Sequence, residues 1–157
     1  MLLRIEFENQ LTEFEFAWEA LRNGRDRCWL WAFQRATNAD RDVPVIYRHV
    51  LNVRSIGIAT IYVGEGDSLN GPKKYCLLHQ YSHGGHGSSR VKVREYLETR
   101  KEPGWTEILR LSKPAMNFAD TRERKFVQMT LIGLYYWQHR KFIEQGGEIP
   151  KFLNDPF

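Results

Sequence analysis

The feature that most constrains this chain is a pair of short segments, Val45 to Leu51 and Ile58 to Val63. Both are dense in β-branched and aromatic residues, and they are separated by Asn52-Val53-Arg54-Ser55 and Gly57. Runs of this kind, bounded by turn residues, read as strands, and so short a connection joins them as an antiparallel hairpin. Side chains alternate along a strand. Tyr47, His49 and Leu51 are therefore expected on one face of the first strand, and Thr60 and Tyr62 on one face of the second, so that two tyrosines look onto one place. Further along, Thr106 to Leu111 alternates as a third strand and Pro114 breaks it. Asp120 or Thr121 then opens a long helix through Phe126, Val127, Thr130, Leu131, Leu134 and Tyr135.

The flanking segments fill in the architecture. Leu11, Phe14, Trp18 and Leu21 recur at three- and four-residue spacing ahead of Gly24, which predicts an amphipathic helix over residues 5–24. Cys28 to Phe33 is apolar on both parities and fits either a buried strand or a short helix. Pro72 to Tyr81 reads as a helix, followed by the glycine-rich loop Ser82-His83-Gly84-Gly85-His86-Gly87. Ser88 or Ser89 can cap the next helix, in which Arg90, Arg94 and Glu98 stack at four-residue spacing, so that two guanidinium groups share a face near an N-terminus. A glycine-containing loop, Gly146 to Pro150, leads to Phe152-Leu153-Asn154.

The 157 residues carry no linker, repeat or low-complexity stretch, and the expectation is one domain of residues 1–157. Its fold class is α/β: a small, mainly antiparallel central sheet flanked by helices over residues 44–154, with an N-terminal helical extension over residues 1–40. A hydrophobic share of 42% against 27% charged excludes intrinsic disorder. No apolar run approaches the roughly 20 residues of a membrane span. Acidic residues interrupt the opening MLLRIEFENQ where a signal peptide would be apolar, and the two cysteines, Cys28 and Cys76, lie far apart. These features point to the cytoplasm and away from a membrane. A net charge of +4 permits a polyanionic partner without requiring one.

The hairpin carries Val45-Ile46-Tyr47 and then Tyr62-Val63-Gly64, and in these residues the chain resembles the GIY-YIG endonuclease family. The likeness extends to Arg90 on a helix, to Gln128-Met129-Thr130-Leu131-Ile132 on a later helix, and to Pro150-Lys151-Phe152-Leu153-Asn154 near the C-terminus. The 28 residues from Tyr62 to Arg90 match the longer insertion of restriction-enzyme members. Arg94, one turn on, sits where such members carry a second catalytic side chain.

The resemblance implies a metal-dependent endonuclease that hydrolyses DNA phosphodiester bonds, of type II restriction character. Tyr47 would be the base or its orienter and Tyr62 would share that role. Arg90 would hold the scissile phosphate, Arg94 would be a second catalytic side chain, residue 128 would carry Mg²⁺ or Mn²⁺, and Asn154 would complete the site. Gly64, His83, His86, Ser88, Ser89, Lys92, Lys73 and Lys74 would contact double-stranded DNA. A palindromic target suits a homodimer, and a restriction enzyme implies a cognate DNA methyltransferase.

Two positions depart from the pattern. Val45 replaces a glycine, which a strand tolerates. Gln128 stands where the family has a metal-binding glutamate, and a neutral amide keeps an acceptor oxygen but loses the charge that holds a hard cation. Either Glu123 or Glu95 supplies the carboxylate, or the chain is naturally impaired, or the isosteric exchange is a catalytic variant that traps an uncleaved complex. The alternatives to a restriction enzyme are a nucleic-acid-binding module without catalysis and a repair, mobile-element or phage nuclease on the same core. Each residue also has a plainer reading: Tyr47 and Tyr62 as sheet aromatics, the paired arginines as a solvated face, and His79, His83 and His86 as loop residues rather than zinc ligands.

Overall fold

The computed structural model describes residues 1–20, 44–66, 93, 95, 96 and 99–154. Five strands form one sheet: β1 (Leu2–Phe7), β2 (Gln10–Ala20), β3 (Val45–Val53), β4 (Gly57–Gly66) and β5 (Gly104–Lys113), in the order β1-β2-β5-β3-β4. Every neighbouring pair is antiparallel. One long helix, α1 (Thr121–Glu144), completes a mixed α/β arrangement.

The hairpin, the third strand and the long helix stand where the sequence reading puts them. Asp120 caps α1, its Oδ1 accepting a hydrogen bond of 2.8 Å from the Arg122 amide, which satisfies one of the amides that a helix start leaves without an intrahelical partner. The N-terminal helix expected over residues 5–24 is overturned as far as Ala20, because β1 and β2 form a hairpin there, and residues 21–24 lie outside the described residues. The residues between them, Glu8 and Asn9, both have positive φ, 48° and 62°, the geometry of a two-residue turn whose twist suits a hairpin. The apolar residues of β2 repeat every second position, Phe14, Phe16 and Trp18, with Glu15 and Ala17 between them. That alternation builds a half-buried strand, and Phe14 and Trp18 fit it as well as they fit the three-and-four spacing with Leu11 and Leu21. Cys28 to Phe33 and the helix expected over 72–81 lie outside the described residues.

The sheet has two unlike faces. On one, Phe14, Phe16, Ile46, Val63 and Leu109 pack against Val127, Leu131 and Tyr135 of α1, each fully buried side chain of that size contributing about 1.5–3 kcal/mol. On the other, Leu51 and Ile61 pack with Val93 and Leu153. The C-terminal segment runs along the free edge of β4, where the Leu153 amide donates to the Ile61 carbonyl at 2.7 Å. Its consecutive residues go to opposite clusters, Phe152 to the first and Leu153 to the second.

A register shift between His49 and Val50 changes the expected facing of one residue. His49 pairs with Tyr62 but Val50 pairs with Thr60, leaving Ile61 as the extra residue of a β-bulge. Thr60 therefore lies with Arg48, whose Nη1 donates to its Oγ1 at 2.9 Å, rather than with Tyr62. Among the described residues no helix is long and apolar enough to cross a membrane.

Candidate active site

Odd-numbered positions of β3 build one face of the site. Tyr47 and His49 alternate onto it and Tyr62 comes across from β4 as the direct partner of His49. The three rings lie together: Tyr47 to His49 at 5.2 Å, His49 to Tyr62 stacked at 5.8 Å, and Tyr47 to Tyr62 at 6.4 Å between centroids. The two tyrosines singled out in the sequence thus lie together, and the imidazole of His49 forms the third corner of the cluster.

His49 is fully buried at 0% exposure. Its Nδ1 shares a hydrogen bond of 3.0 Å with Oγ1 of Thr106, its cross-strand partner on β5. Burial lowers its pKa from 6.5 to about 3, because removing water from around an imidazolium disfavours the charged form. The ring is neutral at physiological pH, so it orients the phenols without adding charge. Sequence reasoning noted His49 only as sharing a face with Tyr47. Its full burial beside the phenols and its bond to Thr106 follow from pairing three strands distant in the chain.

Gly64 pairs with Tyr47 across the hairpin. A Cβ at 64 would collide with Cζ and Oη of the Tyr47 ring and lie 2.7 Å from its Cε2, so only glycine lets the phenol lie flat over this backbone. The structure thus gives Gly64, expected as a DNA contact, a steric part in seating Tyr47.

On the free edge of β4, Val63 turns its amide and carbonyl outward to side chains. Its N–H donates to Oδ1 of Asn154 at 2.6 Å, and its carbonyl accepts from Asn154 Nδ2 at 3.0 Å. One side-chain amide thereby replaces the neighbouring strand that an edge lacks. The same carbonyl accepts from Nε2 of Gln128 at 3.3 Å. Tyr47, Gln128 and Asn154 come from three remote parts of the chain and meet at the dipeptide Val63-Gly64.

Beside it lies a charged corner that the sequence reading did not single out as a unit. Glu65 bonds Nε of Arg124 at 2.5 Å and Nζ of Lys125 at 2.7 Å. Arg124 is almost sealed, its side chain 4% exposed, and its Nη1 also donates to the Phe118 carbonyl at 2.6 Å. Burial raises the pKa of Glu65, but the hydrogen bonds and charges of Lys125 and Arg124 outweigh it and hold the carboxyl below its ordinary value. Nζ of Lys125 also lies 3.4 Å from Oε1 of Gln128. A residue directly after Tyr62-Val63-Gly64, and two adjacent basic residues one turn before Gln128, are the signal by which this corner can be found in a sequence.

The donor set does not fit the divalent ion that the family resemblance implies. Gln128 offers one neutral oxygen, already facing an ammonium, and the Glu65 carboxylate is held by two cations. Glu123, an alternative ligand, accepts from the Asn117 amide at 2.5 Å, and Glu95 is exposed. Among the described residues no group of three or more His, Cys, Asp or Glu side chains converges as a metal site. Arg90, Arg94, His83, His86, Ser88, Ser89, Lys92, Lys73 and Lys74 lie outside the described residues. Comparisons with protein-family models, curated proteins and solved structures return no match.

Proposed function

We propose that this chain is a DNA endonuclease built on a GIY-YIG-type core, with the character of a type II restriction enzyme. One observation carries the reading: Tyr47, Gln128 and Asn154, three positions that bear the resemblance, gather at the Val63-Gly64 dipeptide, with Tyr62 close to Tyr47. Their convergence there from three separate elements is what supports the reading.

Phosphodiester hydrolysis needs a water aligned for attack on phosphorus, an acceptor for its proton, and positive charge for the developing anionic oxygens. In this proposal Tyr47 Oη is the base that takes the proton of the attacking water, or orients that base, and Tyr62 shares the role. Neutral His49 fixes both rings. Asn154 holds the edge of β4 so that Gly64 keeps Tyr47 in line, and Arg90 and Arg94 hold the phosphate. Double-stranded DNA is the substrate, a palindromic site suits two copies of the chain, and a methyltransferase of matching specificity accompanies a restriction role.

The test is plasmid cleavage in Mg²⁺, Mn²⁺ and EDTA, with the ends sequenced, using the chain and its Tyr47→Phe variant. Discrete fragments that disappear in Tyr47→Phe support the proposal. A second reading, a DNA-binding module without catalysis, is favoured by the neutral amide of Gln128. It takes over when the chain and Gln128→Glu both bind DNA and neither cuts.

A further inference from the structure

The misfit between this site and a divalent ion has a positive counterpart, and it rests on the phosphodiester-binding reading above. At the corner beside Val63-Gly64, Glu65 contributes one negative charge, while Arg124 and Lys125 contribute two positive charges. Arg124 is sealed and neutralises Glu65 at 2.5 Å. Lys125 bonds the same carboxylate at 2.7 Å and brings the trio an excess of one positive charge, and its side chain is 52% exposed. The corner therefore carries a net charge of +1 at the solvent boundary, next to the amide that binds the Val63 carbonyl.

A divalent cation entering there meets like charge and no anionic ligand left to neutralise it. A phosphodiester meets the opposite charge. We propose that the cation of this site is the ammonium of Lys125, which stands between Glu65 and Gln128 and takes a non-bridging phosphate oxygen of the bound strand, so that DNA binding needs no divalent ion. Lysine suits this position as a compact charge on a flexible stem, able to swing from Glu65 to a ligand without breaking the buried Arg124–Glu65 pair.

The experiment reads DNA affinity and metal uptake separately from cleavage. A fluorescent duplex is titrated with the chain, Lys125→Met, Lys125→Arg and the distant Lys141→Met, in EDTA and in Mg²⁺ over a series of salt concentrations. Free Mn²⁺ is followed by electron paramagnetic resonance with the chain and with Gln128→Ala. The chain is expected to bind DNA equally in EDTA and Mg²⁺ and to leave the Mn²⁺ signal unchanged. Lys125→Met is expected to bind about tenfold more weakly with a salt slope reduced by about one, as for one lost phosphate contact. Lys125→Arg recovers the slope, and Lys141→Met matches the unaltered chain.

Stoichiometric Mn²⁺ uptake that Gln128→Ala abolishes overturns the proposal, as does Lys125→Met binding with unchanged affinity and slope. Cleavage seen only with Mg²⁺ and lost in Gln128→Ala overturns it too, while leaving the nuclease reading intact. Absence of DNA binding under every condition overturns both.

Discussion

Strand β3 sends alternate residues to opposite faces of the sheet, and the two faces handle buried polar groups in opposite ways. Toward α1 it sends Arg48, side chain 14% exposed, whose Nη2 lies 2.5 Å from Oε1 of Glu107. Arg48 also donates to Thr60 at 2.9 Å and to Tyr135 Oη at 3.0 Å, and lies 4.8 Å from the centroid of the Trp18 ring. Trp18 Nε1 in turn donates to Tyr135 Oη at 2.8 Å, and Trp105 Nε1 to Glu107 at 3.1 Å. Here charge is met by charge, and one node ties β2, β3, β4, β5 and α1 together. On the opposite face the same strand sends Tyr47 and His49, a neutral aromatic group. The difference teaches that a single strand can keep its rigid ionic lock apart from an aromatic group on its other face, the group that carries the proposed function.

The largest expected effect breaks the lock. Glu107→Gln leaves the Arg48 charge buried without a counter-charge and should lower stability by about 3–5 kcal/mol, read from the urea midpoint at constant slope. A change below about 1 kcal/mol would mean that the node is ornamental and the contrast between the faces is false.

Acid acts on the other face. The unfolded chain protonates His49 as the pH falls through about 6.5, whereas the folded protein resists until about 3. The unfolded state therefore binds the extra proton across that window. This contribution is complete above pH 6.5 and declines with falling pH by about 1.4 kcal/mol per unit. His49→Asn, which does not titrate and keeps a partner for Thr106, should flatten that part of the pH–stability curve. An unchanged curve would remove His49 as its source.

Smaller again is Gly64→Ala, which drives a methyl into the Tyr47 ring. Overpacking of this kind costs about 1–3 kcal/mol, and on the proposed function it displaces the phenol and abolishes cleavage. A stable Gly64→Ala protein with full cleavage would separate the ring's seat from catalysis. The smallest stability change belongs to Tyr47→Phe, within about 1 kcal/mol, with loss of cleavage on the order of a hundredfold or more for an acid–base or water-orienting group. Equal cleavage by both would return Tyr47 to the status of a sheet aromatic and erase the functional half of the comparison.

Local chemistry made much of this legible. β-branched density and a short turn specify the hairpin, and the Asp120 cap with the periodic apolar residues behind it specifies α1. The same local reading failed at residues 5–24, because Phe14 and Trp18 satisfy a helical spacing and an alternating one at once. What decides between them is Phe16, together with an edge of β5 on which β2 can pair. Among the site residues, Tyr47, Tyr62, Gln128 and Asn154 were visible as motif positions, whereas His49, Thr106, Glu65, Arg124 and Lys125 were not assembled from the sequence.

The sequence by itself determined the β3–β4 hairpin, the β5 strand and where α1 starts, because these depend on neighbours a few positions away. Only the tertiary structure decided that β5 inserts between β2 and β3, and so sets Thr106 against His49. It alone moved Thr60 to the Arg48 face through one bulged residue. It also brought the C-terminal Asn154 to the edge of β4. The physical reason is common to all three: backbone groups and buried charges must find partners, and those partners are supplied by strands and segments that local sequence does not specify.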